Sequence, residues 1–270
     1  MVARGAGTAT PGGGFVSAYG GDLNVINDLS VENGALRFSF VRTNRERKQK
    51  EKVTYRARLV DGKLDGVTEI EGTDRRMEWT GRRAPVIAER DDGSWVEGEK
   101  VVLFDGNGME AWRPNDGWSV NAGILKNNGA VPDLVTKDTF WNFRLQIEYR
   151  IAEHSNSGIG LRGRYEIQIV DDFGRAPGTH TSGAIYSRVA PLMNASKPAG
   201  EGQTYDIRLI GRYVTVDLNG TRIHDKREIE GLTAIATDPD EERPGPIVLQ
   251  GDHGPVEFRQ IVLARLVKKN

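Results

Sequence analysis

The residue types most able to do chemistry sit close together in Ile159-Gly160-Leu161-Arg162-Gly163-Arg164-Tyr165-Glu166-Ile167-Gln168-Ile169. Arg162, Glu166 and Gln168 fall on even positions, and Ile159, Leu161, Ile167 and Ile169 on odd ones. A strand sends successive side chains to opposite faces, so a hairpin here buries the odd set and presents the even set. Pairing Leu161 with Ile167 and Ile159 with Ile169 sets Arg162 opposite Glu166 and Gly160 opposite Gln168. The loop is then centred on Arg164, and the glycine leaves room beside the amide. On an outer face these groups are merely solvated. On the concave face of a sandwich they form a polar floor able to bond sugar hydroxyls. Of the four histidines, His253 lies in Gln250-Gly251-Asp252-His253-Gly254 at a strand end, where β-sandwiches place their sites, and His154 precedes the hairpin. Asp171-Asp172 closes the Glu166 strand and offers either oxygen ligands for a divalent cation or a turn cap.

The rest of the chain narrows what such a site can be. Its 270 residues carry 37 Lys plus Arg against 38 Asp plus Glu, with no Cys. Near-zero net charge argues against nucleic acid or an anionic membrane as partner. Disulfides, thiolate metal sites and Cys nucleophiles are excluded. No apolar run is long enough to span a membrane. No phosphate-binding glycine loop or nucleophile elbow occurs.

The elements that must position the site are strands. Period-two alternation dominates, and Phe143 to Ile151 is a long half-buried example. Asp61-Gly62 and Asn219-Gly220 mark tight hairpins. Residues 1–14 read as a flexible lead without the apolar stretch of a signal peptide. Residues 101–270 read as a two-sheet sandwich or jelly roll, residues 15–90 as an antiparallel β-meander packed on that sandwich, and 91–100 as the linker between them. The run Arg42 to Lys52, with six basic and two acidic residues, reads as a solvated hairpin tip.

From residue 100 the motifs resemble an ordered set. Leu103-Phe104-Asp105-Gly106 with Trp112 is similar to the opening of the 3-keto-disaccharide hydrolase family. Asn156-Ser157-Gly158-Ile159 with Arg162, and Tyr165-Glu166-Ile167-Gln168 with Asp171, resemble its central motif. Gly183-Ala184-Ile185-Tyr186, Asn219-Gly220 and Leu249-Gln250 to Glu257-Phe258-Arg259 continue the likeness over about residues 100–266. The family's usual Gly-Glu-Trp-Asn is here Gly200-Glu201-Gly202-Gln203, without Trp or Asn. The resemblance implies an all-β, concanavalin-A-like jelly roll, preceded here by the small meander, and a secreted or periplasmic setting. It implies a glycoside substrate cleaved as its 3-keto derivative, with Gln168, Asn156, Tyr186 and Gln250 contacting sugar.

A ketone at C3 acidifies the C2 proton, so a modest base can remove it. The glycosidic oxygen then leaves C1, and water adds to the enone. That route needs a base at C2, a donor for the enolate at O3, and a proton for the leaving group. Glu166 or His253 is the expected base and Arg162 the expected enolate partner, with or without a divalent cation, for which Asp171 is the candidate ligand. Arg162 beside Glu166 should hold that carboxylate ionised. The alternative is a non-catalytic carbohydrate-binding module on the same fold, with Trp112, Trp118 or Trp141 as a stacking platform. A structural or interaction protein docking through the meander is a third reading.

Overall fold

A computed structural model of the chain describes all residues except 6, 7, 9, 17–22, 27, 45–47 and 270. The chain forms two compact units, Met1–Pro85 and Val86–Asn270. All named elements are strands. Among the described residues no helix is long and apolar enough to cross a membrane.

In the first unit, β1 (Val2–Arg4), β2 (Gly12–Val16) and β3 (Leu23–Ile26) make a three-stranded sheet. β4 (Asp28–Glu32), β5 (Ala35–Thr43), β6 (Lys50–Val60), β7 (Lys63–Ile70) and β8 (Arg76–Gly81) make a five-stranded meander in chain order. Asp61 and Gly62 both take positive φ, the backbone a two-residue hairpin demands. The core is Ile26, Leu29, Phe38, Phe40, Val53 and Ile70, with Phe15 and Tyr55 packed on it. The lead expected over 1–14 therefore contains β1 and the start of β2. The glycines of β2 conceal the strand, because Gly13 is paired so closely with the β1 backbone that a Cβ would meet the Val2 carbonyl oxygen at 2.1 Å. Residues 45–47 of the basic run lie outside the described residues.

In the second unit, the larger sheet contains β9 (Trp95–Phe104), β10 (Trp118–Asn121), β11 (Ile124–Asn127), β13 (Phe143–Ile151), β16 (Gln203–Ile210), β17 (Tyr213–Leu218), β18 (Thr221–Glu228) and β20 (Val256–Lys268). Its order is β10-β11-β20-β13-β16-β17-β18, with β9 also on β20. The smaller sheet orders β12 (Leu134–Val135), β19 (Val248–Leu249), β14 (Asn156–Leu161) and β15 (Tyr165–Val170) as β12-β19-β14-β15. This is the expected all-β jelly-roll sandwich. Its core is built from Phe143, Leu145, Ile147, Ile159, Leu161, Ile167, Ile169 and Leu249. The stretch expected as a linker is half strand, since β9 begins at Trp95 and pairs with β20 up to Lys268. The boundary falls near Pro85 instead. Exposed charges at 97–100 make the first half of β9 look like a loop.

Trp112 and Trp118 are buried, and their indole N–H groups donate to Leu103 O and Pro132 O at 2.8 and 3.0 Å. Both are core residues, so neither is the stacking platform of the binding-module alternative.

Candidate active site

Strands β14 and β15 form the hairpin expected from the alternation, but slipped by two residues. Ile159 pairs with Ile167, Gly160 with Glu166, Gly158 with Gln168, and Leu161 with Tyr165. A two-residue slip preserves faces, so the apolar set still lines the core and Glu166 and Gln168 still share the other face. The slip moves the loop to Arg162-Gly163-Arg164, with Arg162 and Gly163 at φ 55° and 62°.

That relocation corrects the expected role of Arg162. Its side chain is completely buried on the far side of the turn. Nε donates to Trp141 O at 2.7 Å, Nη2 to Asn142 Oδ1 at 3.3 Å, and the guanidinium lies 3.8 Å over the Trp141 ring. Burial lowers its pKa to about 10, so it stays cationic at neutral pH. Trp141, the last candidate platform, is occupied by this arginine.

The face carrying Glu166 extends across four strands. Gln250 follows β19, and its backbone N–H donates to Gly158 O at 2.9 Å. Ser157 Oγ donates to Gln250 O at 2.8 Å. Asp133 precedes β12, and its Oδ1 accepts the Gly251 N–H at 3.0 Å. On the other edge Tyr186 N donates to Glu166 O at 3.1 Å, beside the Ile167–Ile185 bridge. Asn156 opens β14, and its N–H donates to His253 O at 3.3 Å. Thus Glu166, Gln168, Asn156, Tyr186, Gln250 and His253 are brought together, and Arg162 is not. Asn156 Oδ1 and Gln250 Oε1 are buried acceptors without a donor, a condition that costs about 1–3 kcal/mol per group until one arrives.

Glu166 and Gln168 are 2% and 1% exposed, so they lie at the bottom of this face and not on a solvated outer one. Gly158 makes this possible, because a Cβ there would meet Glu166 Oε1 at 2.6 Å. The hydrogen-bond network assigns the Gln168 amide so that Nε2 donates to Ser157 O at 3.0 Å and to Glu166 Oε1 at 3.1 Å. Burial, then the negative charges of Asp133 and Asp252, push the Glu166 carboxyl up to about 8. This reverses the expected ionised carboxylate, because the guanidinium meant to hold it ionised is elsewhere. Asp133 is also raised, mainly by burial and then by Asp252, against the Gly251 N–H bond. His253 is 51% exposed at the rim, its Nδ1 paired with Asp252.

Asp171 Oδ2 accepts the His154 N–H at 2.9 Å, and Asp172 accepts from Ser182 N and Ser196 Oγ. Both act as loop caps. Among the described residues no three His, Asp or Glu side chains are grouped to hold a metal ion. Asp133 and His180 escaped the sequence reading. Asp133 borders a strand of only two residues, too short for periodicity, and His180 meets the site only through the fold of residues 178–189.

Residues 99–264 match the family model described as a 3-keto-alpha-glucoside-1,2-lyase-like domain. Among solved structures, a candidate glycosyl hydrolase from Parabacteroides distasonis ATCC 8503 is 26% identical, with TM-score 0.52, covering 62% of this chain and 100% of that one. A second candidate glycosyl hydrolase from the same organism is 20% identical, with TM-score 0.52, covering 61% and 92%. No curated protein matches the sequence.

Proposed function

Because the chain belongs to the 3-keto-alpha-glucoside-1,2-lyase-like family, and so stands among carbohydrate-active hydrolases, we propose that it cleaves 3-keto-glycosides by elimination and hydration, with Glu166 as the proton-transfer group. The observation that carries this reading is the buried Glu166 carboxyl, raised to about 8 with Asp133 and Asp252 near it, on a face that also carries the amides of Gln168, Asn156 and Gln250.

A raised pKa suits both halves of the reaction. The ionised form of Glu166 is a stronger base than an ordinary carboxylate and removes the C2 proton, whose electron pair passes into the C2–C3 bond while O3 gains the charge. When the enolate collapses, the C1–O bond breaks and the protonated carboxyl returns its proton to the departing oxygen. Water then adds to C1 of the enone and a proton returns to C2. The net change is 3-keto-glycoside plus water giving 3-keto-sugar plus alcohol. The C1 and C2 steps thus share one carboxyl. Direct hydrolysis instead requires two carboxyl groups flanking the bond, one of them ionised as nucleophile or base. Gln168, Asn156 and Gln250 supply amides for sugar hydroxyls, and His253 with Asp252 sits at the rim. No step is assigned to a metal.

The test is a pH profile on a 3-keto-glycoside. Base catalysis by Glu166 makes kcat/KM rise toward a plateau above about pH 8. A profile flat from pH 5 to 9 would contradict it.

A further inference from the structure

The elimination route needs a hydrogen-bond donor at the enolate oxygen, and Arg162, sealed against Trp141, cannot supply it. We infer that Tyr186 is that donor, a role that rests on the proposed 3-keto-glycoside chemistry.

Residues 184–186 run along the outer edge of β15. Gln168 N donates to Ala184 O at 3.0 Å and Tyr186 N to Glu166 O at 3.1 Å, on either side of the Ile167–Ile185 bridge. Ile185 is in the core with Ile167. Alternation therefore sends Tyr186 to the opposite face, beside Glu166. Tyr186 is half-buried while Glu166 is covered. Tyr186 enters the turn at 186–188 with its backbone held on Glu166, and a tyrosine reaches past a glutamate. The acid proton is on C2 and the developing charge on O3, two bonds away. A deep carboxylate with a longer phenol beside it matches that pair of atoms, one group below C2 and the other alongside O3.

The approach is held from two sides. His180 packs edge-on against the Tyr186 ring at 4.9 Å and 85°, and its Nε2 lies 3.0 Å from Ser187 Oγ. Ser187 is buried at φ 59°, and its N–H donates to Thr179 O at 2.9 Å. At the other end His224 Nε2 bonds Gly183 O at 2.8 Å, and Gly183 N donates to Gln168 O at 2.9 Å. A non-glycine residue at positive φ inside a turn clamped at both ends is a costly way to place a surface tyrosine, and an economical way to fix a donor.

The experiment compares the wild-type chain, Tyr186→Phe and Glu166→Gln on methyl and 4-nitrophenyl 3-keto-glucosides in deuterated buffer. It reads both alcohol release and deuterium entry at C2. Loss of an oxyanion donor costs about 10²–10³-fold. Tyr186→Phe should lose that much in C2 exchange and in release alike, for both leaving groups, with an unchanged circular dichroism spectrum. His180→Ala should lose less, by displacing the ring without removing the hydroxyl. A Tyr186→Phe variant that exchanges at the wild-type rate overturns the inference alone. So does one slow only with the methyl glycoside, since Tyr186 would then serve the leaving group. A wild type inert in both readouts overturns the 3-keto-glycoside reading and this role together.

Discussion

The turn of the β14–β15 hairpin and its middle, two to four residues away, treat buried charge in opposite ways. At the turn Arg162 is stacked on Trp141 and bonded to Trp141 O and Asn142 Oδ1. Arg164 is bonded to Asp238 and Arg243 O, and Tyr165 donates to Glu241 at 2.8 Å. These groups are buried and bonded by the fold itself, although Arg162 Nη1 finds no hydrogen-bond partner among the described residues. In the middle Glu166 is buried with no cation on it among the described residues, and its neighbours Asp133 and Asp252 raise its pKa further. A charge matched by the fold is structural. A carboxyl kept unmatched at some cost, among amides with unfilled acceptors, is the signature of a proton-transfer site.

Four substitutions or conditions sharpen or break that contrast. Glu166→Gln should cost about 10²–10⁴-fold in kcat on a 3-keto-glycoside with the fold intact, as steady-state kinetics and circular dichroism will show. Gly158→Ala should come next. The added methyl collides with Glu166 Oε1 and shifts it, a displacement worth about 10–10²-fold, read in kcat with thermal stability measured alongside.

At the turn the effect should be on stability alone. Arg162→Gly relieves the φ 55° backbone but forfeits the stacking and the two hydrogen bonds. The net loss should be about 1–3 kcal/mol in urea unfolding, with kcat of the folded protein unchanged. A large fall in kcat at full stability would mean that the turn belongs to the site after all.

A further effect is on pH-dependent stability, read as a slope rather than a loss. Glu166 has a folded pKa near 8 against an ordinary value of 4.5. Between those values the folded state holds a proton the unfolded state has lost, so stability falls as pH rises through that window. Glu166→Gln removes this slope. The melting temperature of the variant relative to wild type should climb from pH 5 to 8 and level off above. A constant difference would mean that the carboxyl is ionised throughout.

The alternation of β13, β14 and β15 is legible in the sequence because one face of each is wholly core, and that is enough to group Glu166 with Gln168. Register is not, because Ile159, Leu161, Ile167 and Ile169 pair almost equally well two residues apart. Only the turn decides, through the positive φ of Arg162 and Gly163. The consequence reaches further than geometry. Setting Arg162 opposite Glu166 implies an ionised carboxylate, where burial and two acidic neighbours raise the pKa. Asp133 and Tyr186 join the site through β19 and the 178–189 segment, contacts between distant parts of the chain that periodicity cannot reveal.

The most direct measurement follows one purified sample of the full chain by NMR in deuterated buffer, with a 3-keto-glycoside and its parent glycoside side by side. The expected result is rapid cleavage of the ketone with deuterium at C2 of the product, and turnover of the parent slower by orders of magnitude, since its C2 proton is not acidified. Equal rates on the two, with no deuterium at C2, would contradict it.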